Sequence, residues 1–212
     1  MKFTQIFWDN DGVLVDTERY YLQANREALA KLDITLSDEL FVEISLTRGK
    51  SLLELATAKG HTADTIEELK DWRNTRYAQL LDLEDMTLPG VRETLNTLHG
   101  RLKMAIVTSS AKSHFEIIHK RTDLLTFFDF CLTRGDYTNS KPSAEPYLLA
   151  LSRSGHEPHR SLVIEDSPRG LEAAKAAGLT CWVIPGQHTS EHEFKSADRI
   201  LSNVEELPKL LL

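Results

Sequence analysis

The order of apolar and polar positions divides this chain into three stretches. The run Ile6-Phe7-Trp8 predicts a buried strand over residues 3–9. From about 17 to 85 the apolar residues recur at helical spacing instead. Leu22, Ala24, Ala28, Leu29 and Leu32 form one such stripe, and Leu52, Leu53, Leu55 and Ala56 a second. Ile66, Leu69, Trp72, Tyr77, Leu80 and Leu81 form a third. Charged residues fill the other faces, and no strand signal interrupts this block. Leu88-Pro89-Gly90-Val91 ends it, because proline and glycine break the period. Beyond that point strands are predicted at 103–107, 128–132, 162–165, 180–184 and 199–201. Helices are predicted at 91–99, 112–121, 144–154 and 168–177. Alternating β and α elements predict a parallel sheet covered on both faces. The expected organisation is an α/β, doubly wound core from residues 1–16 and 88–212, with a helical block, 17–87, inserted after the first strand. The joins near 13–17 and 84–89 are candidate hinges.

A chain of 212 residues with 41% hydrophobic and 27% charged residues is long enough to bury a core without covalent staples. The net charge of −7 has no basic stripe within it, so nucleic acid is not an expected partner. The same charge gives no attraction to anionic membranes, and no apolar run reaches bilayer length. An anionic ligand would therefore need locally placed cations. Cys131 and Cys181 each sit in an apolar run and read as small buried hydrophobes. The N-terminal residues lack a signal-peptide core, which places the expected protein in a reducing cytoplasm. No apolar surface pattern announces a dimer, so a monomer or weak homo-oligomer is expected.

Four segments carry candidate chemistry. The first strand ends in Asp9-Asn10-Asp11-Gly12, which exposes two acids where open α/β sheets bind ligands. One Asp suits a nucleophile, the other an acid/base, with a divalent cation holding them together. The strand at 103–107 ends in Thr108-Ser109-Ser110, hydroxyls at a helix start that suit an anion. Ser110 equally suits an ordinary helix cap. Ser140-Lys141-Pro142 puts an ammonium beside a stiffened turn, and Glu165-Asp166-Ser167-Pro168 puts two more acids at a strand end before a helix. Parallel neighbouring strands would bring Asp9, Asp11, Glu165 and Asp166 to one sheet edge, where they repel one another unless cations compensate. Hard oxygen ligands without a His or Cys cluster point to Mg²⁺ rather than Zn²⁺. His156, His159, His188 and His192 read as surface residues.

These four segments, in this order, resemble the haloacid dehalogenase-like phosphohydrolases, in the subgroup with a helical cap inserted after the first motif. The resemblance extends through Leu88-Pro89-Gly90-Val91, Arg169-Gly170 and the run Ala173-Ala174-Lys175-Ala176-Ala177-Gly178. It implies a Rossmann-like core with an α-helical cap that closes over the site. It implies that Asp9 is the nucleophile and forms an aspartyl-phosphate. Asp11 would protonate the leaving oxygen and then activate water. Thr108 would hold the phosphoryl group, helped by the backbone of Ser109, and Lys141 would neutralise charge on Asp9. Asp166 would bind Mg²⁺ with Asp9 and the Asp11 carbonyl, and Glu165 directly or through water. Asn10 departs from the bulky apolar residue common at this place. On a strand it would point away from the two acids and alter packing behind them.

The resemblance also bears on substrate. Dehalogenases of this kind lack the second acid, because halide needs no proton, and Asp11 is present. The expected function is a phosphatase acting on a small phosphorylated metabolite, with sugar phosphates among the candidates. The alternative is a sugar phosphomutase resembling β-phosphoglucomutase. Such mutases carry a His near the place of Tyr21, and its absence favours the phosphatase. Arg48 and Lys50 could reach a second anionic group, or be solvated charges. Glu18 could contact substrate, or stabilise its own helix. A non-catalytic interaction protein on this fold is the third reading.

Overall fold

The computed structural model describes residues 2–186, 189 and 191–212, apart from the side chains of Glu191 and His192. The chain forms two compact units, Met1–Asp16 with Asp85–Leu212, and Thr17–Glu84. The second unit is helical: α1 (Glu18–Ala30), α2 (Asp38–Phe41), a π-helical turn (Val42–Thr47), α3 (Glu54–Ala58) and α4 (Ala63–Leu81). Ser37 and Thr62 cap α2 and α4 by accepting from Leu40 N–H and Thr65 N–H. The apolar stripes of the sequence meet in a core of Leu22, Leu29, Phe41, Leu52, Leu53 and Leu69. Residues 85–87 belong with the α/β unit and not with this one. Thr87 bridges Val15, and Asp16 N–H donates to the Met86 carbonyl at 2.9 Å, so backbone pairing holds them there.

In the α/β unit, β1 (Gln5–Trp8), β2 (Lys103–Ala111), β3 (Phe130–Arg134), β4 (Ser161–Glu165), β5 (Thr180–Val183) and β6 (Arg199–Ile200) form one sheet. Its order is β3-β2-β1-β4-β5-β6, and every pairing is parallel. The accompanying helices are α5 (Val91–Leu98), α6 (Lys112–His119), α7 (Glu145–Ser154), α8 (Pro168–Ala176) and α9 (Leu207–Leu211). This is a doubly wound, Rossmann-like sheet. β1 and β4 are buried along their whole length, as central parallel strands with both faces covered must be. Phe7, Val107, Tyr147, Val163, Leu171, Cys181 and Val183 anchor the core on one face.

The topology decides where chemistry can occur. The chain leaves β1 toward β2 on one side, and β4 flanks β1 on the other. The connections diverge there, opening a crevice at the carboxyl ends of both strands. Trp8 is level with Ile106 and with Ile164, so Asp9, Val107 and Glu165 come to one height. β2 runs on to Ala111, past the expected end at 107, because Ala111 re-pairs with Arg134 after a register shift. β3 starts two residues late because the Asp129 carboxylate accepts from Met104 N–H and Lys103 and so precedes the ladder.

Candidate active site

Lys141 is the centre of the crevice. Its ammonium is buried and donates to Asp9 Oδ1 at 2.6 Å, Glu165 Oε1 at 2.7 Å and the Val107 carbonyl at 2.8 Å. All its protons are thereby used. Asp9 follows β1 directly and hangs on β4 through its N–H to the Ile164 carbonyl, 2.9 Å. Its other oxygen, Oδ2, accepts no hydrogen bond among the described residues. Burial pushes the Asp9 carboxyl up to about 7, with Glu165 and Asp11 adding to it and Lys141 opposing. Burial pulls on Lys141 too, but Asp9 and Glu165 outweigh it and hold the ammonium above its ordinary value. Among the described residues the local charge is thus short of cations, with the Lys141 ammonium set against several acids.

Glu165 ends β4 with no exposed surface. Oε1 also accepts from the Tyr147 hydroxyl at 2.8 Å, and Oε2 from the backbone N–H of Asp166 and Ser167 and from the Ser167 hydroxyl. Burial favours its neutral form, but Lys141 and these donors outweigh it and keep the carboxyl low. Ser167 caps α8 by accepting from Gly170 N–H, and Pro168 occupies its first turn.

Asp11 faces the turn after Val107. Its Oδ2 accepts from Ser110 Oγ at 2.7 Å, Thr108 Oγ1 at 3.1 Å and, at longer range, Asn10 Nδ2 at 3.4 Å. The turn is braced from outside: the Tyr137 hydroxyl donates to the Thr108 carbonyl at 2.6 Å, and Arg134 Nε to the Ser109 carbonyl at 2.9 Å. Gly12 has φ +81°, and a Cβ there would collide with the Asp166 carboxylate. A glycine therefore lets the loop after β1 lie against the loop after β4.

Asp9, Glu165 and Asp166 each offer an oxygen within 4.8 Å of the others. An all-carboxylate set, with Asp9 and Glu165 buried and Asp166 partly exposed, and with surplus negative charge fits a hard divalent cation. Glu165 fits it less well than the other two, because both its oxygens already serve donors. The structure thus gathers Asp9, Asp11, Thr108, Ser109, Lys141, Glu165 and Asp166 at one sheet edge. Glu18, Arg48 and Lys50 belong to the helical unit. Glu18 opens α1, Arg48 lies 3.6 Å from Glu43, and Lys50 lies 3.9 Å from Glu54. His159 is exposed near Glu157, and His156 contacts Thr4. His188 and the side chain of His192 lie outside the described residues.

Several members of the site are not readable from the sequence. Ser110 is no helix cap: the cap position of α6 is Ala111, and Ser110 donates to Asp11. Three hydroxyls in a row were its only signal. Tyr147 sits in an apolar helix with nothing to mark it. Asn10, expected to point away from the two acids and alter packing behind them, is fully buried, and its amide reaches both His119 and Asp11.

Comparison with known proteins agrees with this geometry. A family model described as haloacid dehalogenase-like hydrolase matches residues 6–184. The chain is 30% identical to protein CbbY of Cereibacter sphaeroides, covering 95% of this chain and 93% of that one. It is 31% identical to a phosphorylated carbohydrates phosphatase of Thermotoga maritima, covering 82% and 81%. A crystal structure of a CbbY mutant from Rhodobacter sphaeroides in complex with xylulose-(1,5)bisphosphate superposes with a TM-score of 0.82 at 27% identity, over 97% of this chain and 96% of that one. With its matched motifs converging on one buried acidic crevice, this chain belongs to the haloacid dehalogenase-like hydrolases.

Proposed function

We propose that the chain is a Mg²⁺-dependent phosphohydrolase that cleaves monoesters of small phosphorylated metabolites, sugar phosphates among them, through an aspartyl-phosphate on Asp9. One observation carries the reading. Lys141 grips one oxygen of Asp9, the other accepts no hydrogen bond among the described residues, and a second acid, Asp11, stands two residues on. That is an oriented nucleophile beside a proton carrier.

Oδ2 of Asp9 attacks phosphorus while Lys141 limits repulsion between carboxylate and ester. Asp11 gives its proton to the leaving oxygen, then takes one from the water that hydrolyses the aspartyl-phosphate. The Thr108 hydroxyl exchanges Asp11 for a phosphoryl oxygen, and the Ser109 backbone assists. Asp9, Asp166 and the Asp11 carbonyl would hold Mg²⁺, with Glu165 reaching it through water. The ion would supply charge neutralisation and alignment. Substrate choice is assigned to Glu18, Arg48 and Lys50 on the sequence resemblance alone. The named activity of the Thermotoga maritima relative supports the phosphorylated-carbohydrate class. Free cysteines at 131 and 181 are compatible with a reducing cytoplasm.

The test is phosphate release from a panel of phosphorylated sugars, short acids and nucleotides, with Mg²⁺ or with EDTA, beside Asp9→Asn. Metal-dependent release that the folded variant loses by more than about a thousandfold is expected. Isomerised sugar phosphate in place of free phosphate would establish a mutase. No turnover of any kind would favour an interaction protein.

A further inference from the structure

A buried polar chain runs behind the loop that carries the two acids, and the mechanism above does not use it. Asn10, His119 and Thr122 are 0%, 6% and 0% exposed. His119 is the last residue of α6. Its Nε2 lies 2.7 Å from Asn10 Oδ1, and its Nδ1 lies 2.8 Å from Thr122 Oγ1. Beyond these, Asn10 Nδ2 donates to Asp11 Oδ2 at 3.4 Å, and Thr122 Oγ1 accepts from Leu124 N–H at 3.4 Å.

Only one assignment of protons satisfies every member. An amide oxygen only accepts, so His119 Nε2 carries the proton. Burial pulls His119 down to about 4, against Asp11, so the ring is neutral near pH 7 and Nδ1 accepts. The Thr122 hydroxyl then donates to Nδ1, while its oxygen receives Leu124 N–H. All polarity runs one way, from the end of α6 to the acid. With its oxygen taken by His119, the Asn10 amide has its NH₂ turned toward Asp11. An apolar residue at position 10 could fill the space but could not act on a carboxylate.

We propose that His119, acting through Asn10, is a positioning residue for Asp11. It holds the carboxyl where its proton can pass to the leaving oxygen as the phosphoryl group moves from that oxygen to Asp9. The proposal rests on the phosphohydrolase reading.

The experiment compares phenyl phosphate with 4-nitrophenyl phosphate. The two have the same shape around phosphorus. Phenolate is a base of about 10 and benefits from a proton, whereas the nitro group lets its phenolate leave without one. The measured quantity is kcat/KM, which reports steps up to departure of the leaving group. Asn10→Leu and His119→Leu are expected to lower kcat/KM by about tenfold on phenyl phosphate and by less than about twofold on the nitro ester. Asn10→Leu/His119→Leu is expected to be no worse than either single variant, because the two act in series. Of this polar chain it strands only the Thr122 hydroxyl proton, against the two groups, Thr122 and Asn10, that His119→Leu alone strands, so it folds where that single variant does not. His119→Gln, which keeps a donor for Asn10, is expected to recover activity on phenyl phosphate. Equal losses on both esters, additive losses, or folded variants with unchanged kcat/KM would overturn the positioning role. A wild-type chain inert on both esters and on the metabolite panel would overturn the phosphohydrolase reading itself.

Discussion

At the scale of single residues, the site is a contest over buried charge. Lys141 answers Asp9 and Glu165, and Glu165 is answered further by Tyr147, Ser167 and two backbone N–H groups. Removing any one donor would leave a charge in a medium that does not solvate it. His119 shows the opposite solution, a titratable group buried neutral. Burial takes it from 6.5 to about 4, partly offset by Asp11. The unfolded chain therefore binds this proton near pH 6.5, and the native protein only near pH 4. Stability from this residue is complete above pH 6.5 and is lost as pH falls toward 4, by about 3 kcal/mol in all. Urea unfolding of the wild type and His119→Gln across that window should show a shallower acid slope in the variant. Parallel slopes would mean that the imidazole is already charged in the native state.

At the scale of elements, the strand ends and helix starts carry the chemistry. β1 and β4 deliver acids, and the α8 start locks one of them. Gly170 in the first turn of α8 shows how tight that lock is. Helix propensity alone predicts that Gly170→Ala stabilises the protein by about 1 kcal/mol. The structure predicts the opposite, because a Cβ at Gly170 would collide with the Glu165 carboxylate. Glu165 has little freedom to yield, with Lys141 and Tyr147 on one oxygen and the loop donors on the other. We expect Gly170→Ala to cost about 1–3 kcal/mol in urea unfolding, together with a fall in kcat as Lys141 shifts. A stabilised, fully active variant would show that the Glu165 carboxylate moves freely.

At the scale of the whole molecule, each unit buries its own core, one around Phe7, Tyr147 and Val163, the other around Leu29, Phe41 and Leu52. The stability of the α/β unit is charged against its acidic crevice. A cation that binds Asp9 and Asp166 in the native state alone stabilises the fold by mass action. The unfolding free energy of the wild type should rise with Mg²⁺ concentration, by about 2.7 kcal/mol at a hundredfold excess over Kd. Asp166→Asn should abolish that rise. An equal rise in the variant would place the ion elsewhere. No described helix is long and apolar enough to cross a membrane.

What the sequence determined by itself was local or periodic. Apolar repeats of 3.6 and runs of β-branched and aromatic residues predict the strands and helices to within a few residues. Asp9, Asp11, Lys141 and Asp166 are legible because each stands at the end of a predicted strand or in the loop between it and the next predicted helix, and parallel strands bring such ends to one edge. The tertiary structure alone decided which donor each acid receives. Ser110 turning to Asp11 rather than capping α6, Tyr147 reaching Glu165 from an apolar helix, and His119 meeting Asn10 join residues far apart in the chain. No local pattern encodes those partners. They follow from the strand order, the register of β1 between β2 and β4, and the cost of leaving a buried polar atom without a partner.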